Sequence, residues 1–196
     1  MNNSILSIQS ITELHDSLVS KSLCNLDLHQ SKLDLMSLCE LNHVCNQLLW
    51  HEEDLARRND VEPLEIMKNK REIDKYNQQR NDAVEHIDEV ILSCLSSVPI
   101  LSNARQHSET AGSMIDRLSI IALKIYAVKL QTSREDIDQA HLDSCQIRLN
   151  TLNTQRNDLS TCLDLLLKDC LQGKVFYKVY RQYKMYNDPK FNTNIK

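Results

Sequence analysis

Glycine and proline are scarce: the 196-residue chain holds two Gly and three Pro, and aromatic residues make up 5%. A sheet protein with many tight turns needs more of all three, so the composition excludes that class and points to an all-α chain. No apolar run reaches about 18 residues, which excludes a membrane-spanning helix of ordinary length. The start, "MNNSILSIQSITEL", has neither a basic n-region nor a long apolar h-region. Seven Cys, at positions 24, 39, 45, 94, 145, 162 and 170, include no C-x-x-C pair. That odd, scattered set reads as reduced thiols serving as small core residues, and the expected location is cytoplasmic. A net charge of −4 gives no electrostatic reason to expect nucleic acid. There is no Gly-rich phosphate loop and no G-x-S-x-G elbow, and no Cys has an evident His partner, so nucleophilic catalysis has little support.

What the chain has is helical periodicity. Apolar spacings of three and four predict helices at about 31–58, 62–97, 114–131 and 134–172, with one short amphipathic helix within 5–23. Asp60 and Pro63 bracket a helix start, Ser113 with Asp116 and Ser133 with Asp136 look like N-caps, and Gly173 is a stop. Residues 98–112 form the one long connector. The hexapeptide "NQQRND" at 77–82 returns as "NTQRND" at 153–158, an offset of 76 that also relates Trp50 to Tyr126, Arg58 to Arg134 and Asp60 to Asp136. The expectation is a single domain, 1–196, folded as an up-down four-helix bundle of two pseudo-repeated hairpins. The first hairpin spans 24–97 and the second 113–172, followed by a basic, aromatic tail at 173–196. That tail reads either as a docked amphipathic segment or as a site for a phosphate-bearing ligand.

Beside the apolar stripe of the second long helix runs a polar row: Lys70, Asp74, Asn77, Asn81, Glu85 and Asp88. The fourth helix carries Gln146, Asn150, Asn153, Asn157, Thr161 and Asp164 at matching positions. Asn costs roughly 0.5 kcal/mol relative to Ala in a helix interior, which makes it an odd choice for solubility alone. Arg80 and Arg156 fall inside the apolar stripes and need acceptors once desolvated. Three readings stand: a polar network lining a cleft, a structural network fixing register, or a solvated face.

"LLWHEEDLARR" places His51, Glu53, Asp54 and Arg57 at helical spacings. In an antiparallel hairpin residue 51 faces roughly residue 70, near Lys70, Arg71 and Asp74. A His beside a carboxylate, with cations at hand, suits proton transfer on an anionic substrate; the alternative is a helix-end cluster of salt bridges. "EHID" offers Glu85 and Asp88 as an E-x-x-D pair of the kind seen in all-α Mg-dependent nucleotide pyrophosphohydrolases. Fifteen residues, about 22 Å, separate positions 70 and 85, so His51 and Glu85 cannot share an ion. A di-iron bundle site wants E-x-x-H pairs, which are absent. Neither a metal nor another cofactor is expected.

The segments "NQLLWHEEDLARR", "NKREIDKYNQQRND", "ETAGSMIDRLSIIALKIY" and "YRQYKMYNDPKFN" resemble, in order, a bacterial domain-of-unknown-function family, number four-two-five-four. The resemblance runs from about residue 46 to 192. It implies a short all-helical bacterial protein, of a kind often encoded beside glycosyltransferases for lipopolysaccharide core or other surface glycans; it implies no reaction. The family motifs fall on Trp50, His51, Glu53, Asp54 and Arg57; on Lys70, Arg71, Asp74, Asn77, Arg80 and Asn81; on Asp116, Arg117 and Lys124; and on Lys184, Tyr186, Asn187 and Asp188. One departure is Ala127, where the family pattern has a His. The expected site therefore has His51 and Asp54, with Glu53, as acid–base groups. Its ligand-binding residues are Arg57, Lys70, Arg71, Asp74, Asn77, Arg80, Asn81, Arg117 and Lys124, gripping a sugar phosphate or nucleotide sugar. The alternatives are a non-catalytic partner of a cytoplasmic glycosyltransferase, docked through the tail, or a homodimer.

Overall fold

The computed structural model of the protein describes residues 6–21 and 34–181. Cys24 and the tail motif residues Lys184, Tyr186, Asn187 and Asp188 lie outside the described residues. Within them the fold is all-helical with one small sheet. The elements are α1 (Ile8–Leu18), α2 (Leu35–Leu55), α3 (Pro63–Leu95), β1 (Arg105–His107), α4 (Ala111–Thr132), α5 (Gln139–Leu171) and β2 (Val175–Tyr177).

Side chains with short acceptors start most of the helices. Ser7 caps α1 through Ser10 N–H, Asp34 caps α2 through Ser37 N–H at 2.8 Å, and Asp138 caps α5 through His141 N–H at 2.8 Å. α3 instead begins with Pro63 in its first turn, where the missing N–H costs nothing. Two expected caps sit elsewhere. Thr110, not Ser113, caps α4, accepting from Ser113 N–H at 3.2 Å. Ser133 is the C-cap of α4 and lies outside α5. Both Ser positions carried the right residue type, but a better acceptor stood three to five residues away.

α2 packs antiparallel on α3, and α4 on α5, as two hairpins. Asn69 Nδ2 donates to Glu52 Oε2 at 2.7 Å, the pairing expected of residue 51 facing residue 70. Both hairpin turns are tied by the same fork: Arg58 Nε and Nη2 donate to Asp60 at 3.0 and 2.8 Å, and Arg134 Nε and Nη2 to Asp136 at 2.9 and 2.6 Å. α4 lies at the centre, in contact with α1, α2, α3 and α5. α1 packs across α2, α4 and α5, whereas α3 and α5 make no substantial packing pair. The core gathers Ile11, Ile87, Ile91, Ile115, Leu118 and Leu163. Cys39, Cys45, Cys145 and Cys170 are buried as small core residues, whereas Cys94 and Cys162 are exposed, against the expectation for them. Burial pushes the Cys39 and Cys45 thiols up to about 12, so both stay protonated and inert at neutral pH.

The connector and the tail are not independent. β1 and β2 pair in parallel, Arg105 against Val175 and His107 against Tyr177. Val175 and Tyr177 are buried, so this part of the tail is core. Short runs of three residues carry too little period to be seen as strands.

The α3–α4 crossing requires Gly112. A Cβ there would stand 2.6 Å from Val84 O and 2.8 Å from Asp88 Oδ2. The closeness lets Gly112 N–H donate to Asp88 Oδ1 at 2.7 Å, so the buried Asp88 satisfies an orphan donor of the α4 N-terminus. Burial is the main force raising the Asp88 carboxyl above the ordinary range, opposed by donors that include Gly112. We expect Gly112→Ala to destabilise by roughly 2 kcal/mol, a Tm drop of about 4–8 °C, because two helices must part to admit one methyl. Calorimetry checks this; an unchanged Tm refutes the close-approach argument.

Candidate functional site

α2 and the turn after it present two adjacent rows of side chains to α4. One row, Asn46, Leu49, Trp50, Glu53 and Arg57, meets Ile120 and Leu123 of α4 and Arg80 of α3 around a cleft of about 240 Å³. The other, Gln47, Trp50, His51 and Asp54, meets Leu123, Tyr126, Ala127 and Leu130 around a second cleft of about 270 Å³. Val19 and Lys21, just after α1, close one wall of the second cleft. The clefts share Trp50, Asp54 and Leu123. Trp50 is the sole Trp of the chain and is 38% exposed.

His51, Glu53, Asp54, Arg57 and Arg80 thus come together, but not as an acid–base dyad. No hydrogen bond joins His51 to Asp54. Asp54 accepts from Arg57 Nη1 at 2.8 Å, and Glu53 lies 3.7 Å from the same guanidinium. These pairs are exposed, and such pairs add little stability. Arg80 differs. It is half-buried, its one side-chain hydrogen bond among the described residues is Nη2 to Asn81 Oδ1 at 3.3 Å, and its Nε is buried without a partner. Among the described residues no carboxylate pairs with it.

The remaining expected residues are placed elsewhere. Lys70, Arg71 and Asp74 are exposed and line neither cleft. Asn77 and Asn81 are half-buried but also outside both clefts. The reason is one position of register. The seam of α3 towards α2 runs 69, 73, 76, 80, 83, 87, and the polar row 70, 74, 77, 81 stands one residue, about 100°, further round the helix. Arg117 is exposed and held by Glu109 at 2.7 Å, and Lys124 is exposed outside both clefts. Asn150, Asn153 and Asn157 on α5 are exposed as well. The two Asn-rich rows therefore do not converge on a common cleft, because α3 and α5 do not pack together. Glu85 and Asp88 form no ion site: Asp88 is buried against α4, and Glu85 lies 3.9 Å from Arg181. Among the described residues no three His, Cys, Asp or Glu side chains are grouped to hold a metal ion. None of the described helices is long and apolar enough to cross a membrane.

The buried polar network lies instead where α1, α2 and α4 meet, and of its members Asn46 and Gln47 also line the clefts. Asn42 and Asn46 each donate Nδ2 to Asp116 Oδ1 at 2.8 Å, and Asn46 Nδ2 also reaches Ser119 Oγ at 3.0 Å. His43 Nδ1 and Ser119 Oγ share a hydrogen bond of 2.8 Å. Gln47 Nε2 donates to Leu18 O at 2.9 Å, which ties α1 to α2. His15 of α1 stacks on His43, with centroids 4.8 Å apart and planes at 16°. Asn42 Oδ1, Gln47 Oε1, His43 Nε2 and both His15 nitrogens are buried without partners. Sequence reasoning passed over Asn42, His43 and Ser119, although a signal existed: Leu38, Asn42, Cys45, Asn46 and Leu49 follow one seam period, so the two Asn occupy core positions of α2.

Arg156, the counterpart of Arg80 at the 76-residue offset, has acceptors on α1. Its Nη2 donates to Thr12 O at 2.8 Å and to Asp16 Oδ1 at 2.9 Å, both on α1. Two arginines at matching seam positions therefore differ: α1 supplies acceptors to one, and the other borders an open cleft.

Fold and clefts together define a small all-helical scaffold with a charged, aromatic-edged surface site. The family model described as "Protein of unknown function (DUF4254)" matches residues 36–179, and the chain belongs to that family. No curated protein and no solved structure matches it. The matched span contains all of α3, α4 and α5 and nearly all of α2; α1 lies outside it.

Proposed function

We propose that the paired clefts bind a small anionic, polyhydroxylated ligand, a sugar phosphate or nucleotide sugar. The observation that carries this reading is Arg80: a seam arginine with a buried, unpartnered Nε beside a cleft, whereas its counterpart Arg156 is paired with Asp16 and bonded to Thr12 O through Nη2. A guanidinium short of acceptors suits a phosphate, which presents them in a planar pair. Trp50 offers its ring to the C–H face of a sugar, and Glu53 and Asp54 are acceptors for hydroxyls. His51 borders the same site and is the candidate for moving a proton on the bound ligand. A role in surface-glycan metabolism fits the chemistry of such a ligand.

The alternative is a non-catalytic partner of a cytoplasmic glycosyltransferase. It is the weaker reading, since the first residues of its docking tail, Val175 and Tyr177, are already buried in this fold. We also read the two hairpins as a duplicated unit within a four-helix bundle. The matched Arg–Asp turns support this, as does the contact of His43 with Ser119, its equivalent at the same offset.

A thermal-shift panel of sugar phosphates and nucleotide sugars, with inorganic phosphate as reference, tests the ligand. A saturating ligand at 100 Kd raises Tm by roughly 5 °C or more. Arg80→Gln should abolish the shift, and Ala127→Trp, which fills the His51 cleft from α4, should block the sugar-bearing ligands. No shift with any compound, or an equal shift in Arg80→Gln, refutes the proposal.

A further inference from the structure

The cover that α1 provides is held by an unusual contact. His15 and His43 are both 0% exposed and stacked face to face, and three of their four ring nitrogens have no partner. A face-to-face pair at this distance tolerates two neutral rings. It does not favour a proton, because the added charge would be buried with both rings, and three of the four ring nitrogens have no hydrogen-bond partner there.

We infer that the stacked His15–His43 pair is a proton-operated latch, which keeps α1 docked while both rings are neutral and releases α1 on acidification. The charges around it are few. α5 presents Arg156, a cation that opposes a second positive charge nearby. α1 presents Asp16, whose carboxylate is 57% exposed and already paired with Arg156. α4 presents Asp116, whose Oδ1 is taken by Asn42 and Asn46, and the neutral Ser119. α2 presents His43 itself. Only Asp16 favours protonation, and it does so at His43.

Burial is the largest cause holding both imidazoles below their ordinary range, His43 at about 4 and His15 lowered well below it, with His43 and then Arg156 adding to the effect on His15. Both groups are depressed in the docked state. Docking is therefore fully favoured above about pH 6.5 and weakens as pH falls towards 4, by about tenfold per unit for each histidine.

Release would also dismantle a cleft wall, since Val19 and Lys21 follow α1 directly and Gln47 is tied to Leu18 O. Cleft occupancy and α1 docking are then linked, each favouring the other. The latch itself does not depend on what the clefts bind.

Amide and imidazole NMR of the full chain between pH 7.5 and 4.5 tests it. The Ile8–Leu18 amides should lose their helical shifts below pH 6.5, while those of Ile87 and Leu163 keep theirs. His15→Phe, which retains a stacked ring without a proton site, should move release to lower pH and halve its steepness. Retention of α1 to pH 4.5, loss of α1 only with the whole fold, or release of His15→Phe at the wild-type pH each overturns the proposal. Independently of any variant, either ring titrating near pH 6.5 with α1 still docked overturns it too.

Discussion

Gly173→Ala should lower Tm by about 6–12 °C, a loss of roughly 3 kcal/mol or more, and Gly173→Asn should do no better. Gly173 ends α5 with φ of +67°, and its N–H donates to Cys170 O at 3.0 Å. The left-handed conformation alone costs an L-residue about 1–2 kcal/mol, and Asn normally recovers part of that. Here it cannot, because a Cβ at this position would stand 2.1 Å from Pro99 O, a backbone atom. Any side chain must push the connector away, and with it the bond from Leu101 N–H to Gly173 O. Chemical denaturation of the three proteins separates the two causes. If Asn is clearly better than Ala, backbone conformation dominates and the steric argument fails.

Asp116→Ala should cost roughly 2–3 kcal/mol. Among the described residues it removes the one side-chain hydrogen bond of the fully buried Asn42, whose Oδ1 is already unpartnered, and one of two from the Asn46 side chain. A buried amide left bare costs about 1–3 kcal/mol, more than its bond contributed. Asp116→Asn, which keeps an acceptor, should recover most of the loss. Asn42→Leu combined with Asp116→Leu should cost less than the two single changes added together, because no bare amide remains at position 42. Strict additivity in that cycle would show that the pair is not coupled.

The helices were legible because long helices repeat their signal many times. The spans of α2, α3, α4 and α5 were traceable to apolar spacings of three and four, and the 51-to-70 register followed from hairpin geometry. Three-residue strands gave no period to read. Of the residues read as a candidate site, some line the clefts and the rest do not. The dense run His51, Glu53, Asp54 and Arg57, together with Arg80, does border the clefts. Yet the Asn-rich rows diverted attention by one helical position: Asn77 and Asn153 stand beside the seams, whereas Asn42 and Asn46 stand in one. A polar residue carries meaning by its phase relative to the apolar stripe, and in α3 and α5 the phase singled out Arg80 and Arg156, not the asparagines. The role of α1 could not be read, because His15 gains its significance only from a partner 28 residues away and from the neighbouring α4.

The parallel pairing of 105–107 with 175–177 sets an order of assembly. Its two strands are neighbours in space but have the whole second hairpin between them in the chain. On a growing polypeptide β1 has no strand to pair with until Tyr177 has been made, so the clasp closes only over a finished α5. Refolding from denaturant should show the same sequence, with burial of the Tyr177 ring trailing helix formation.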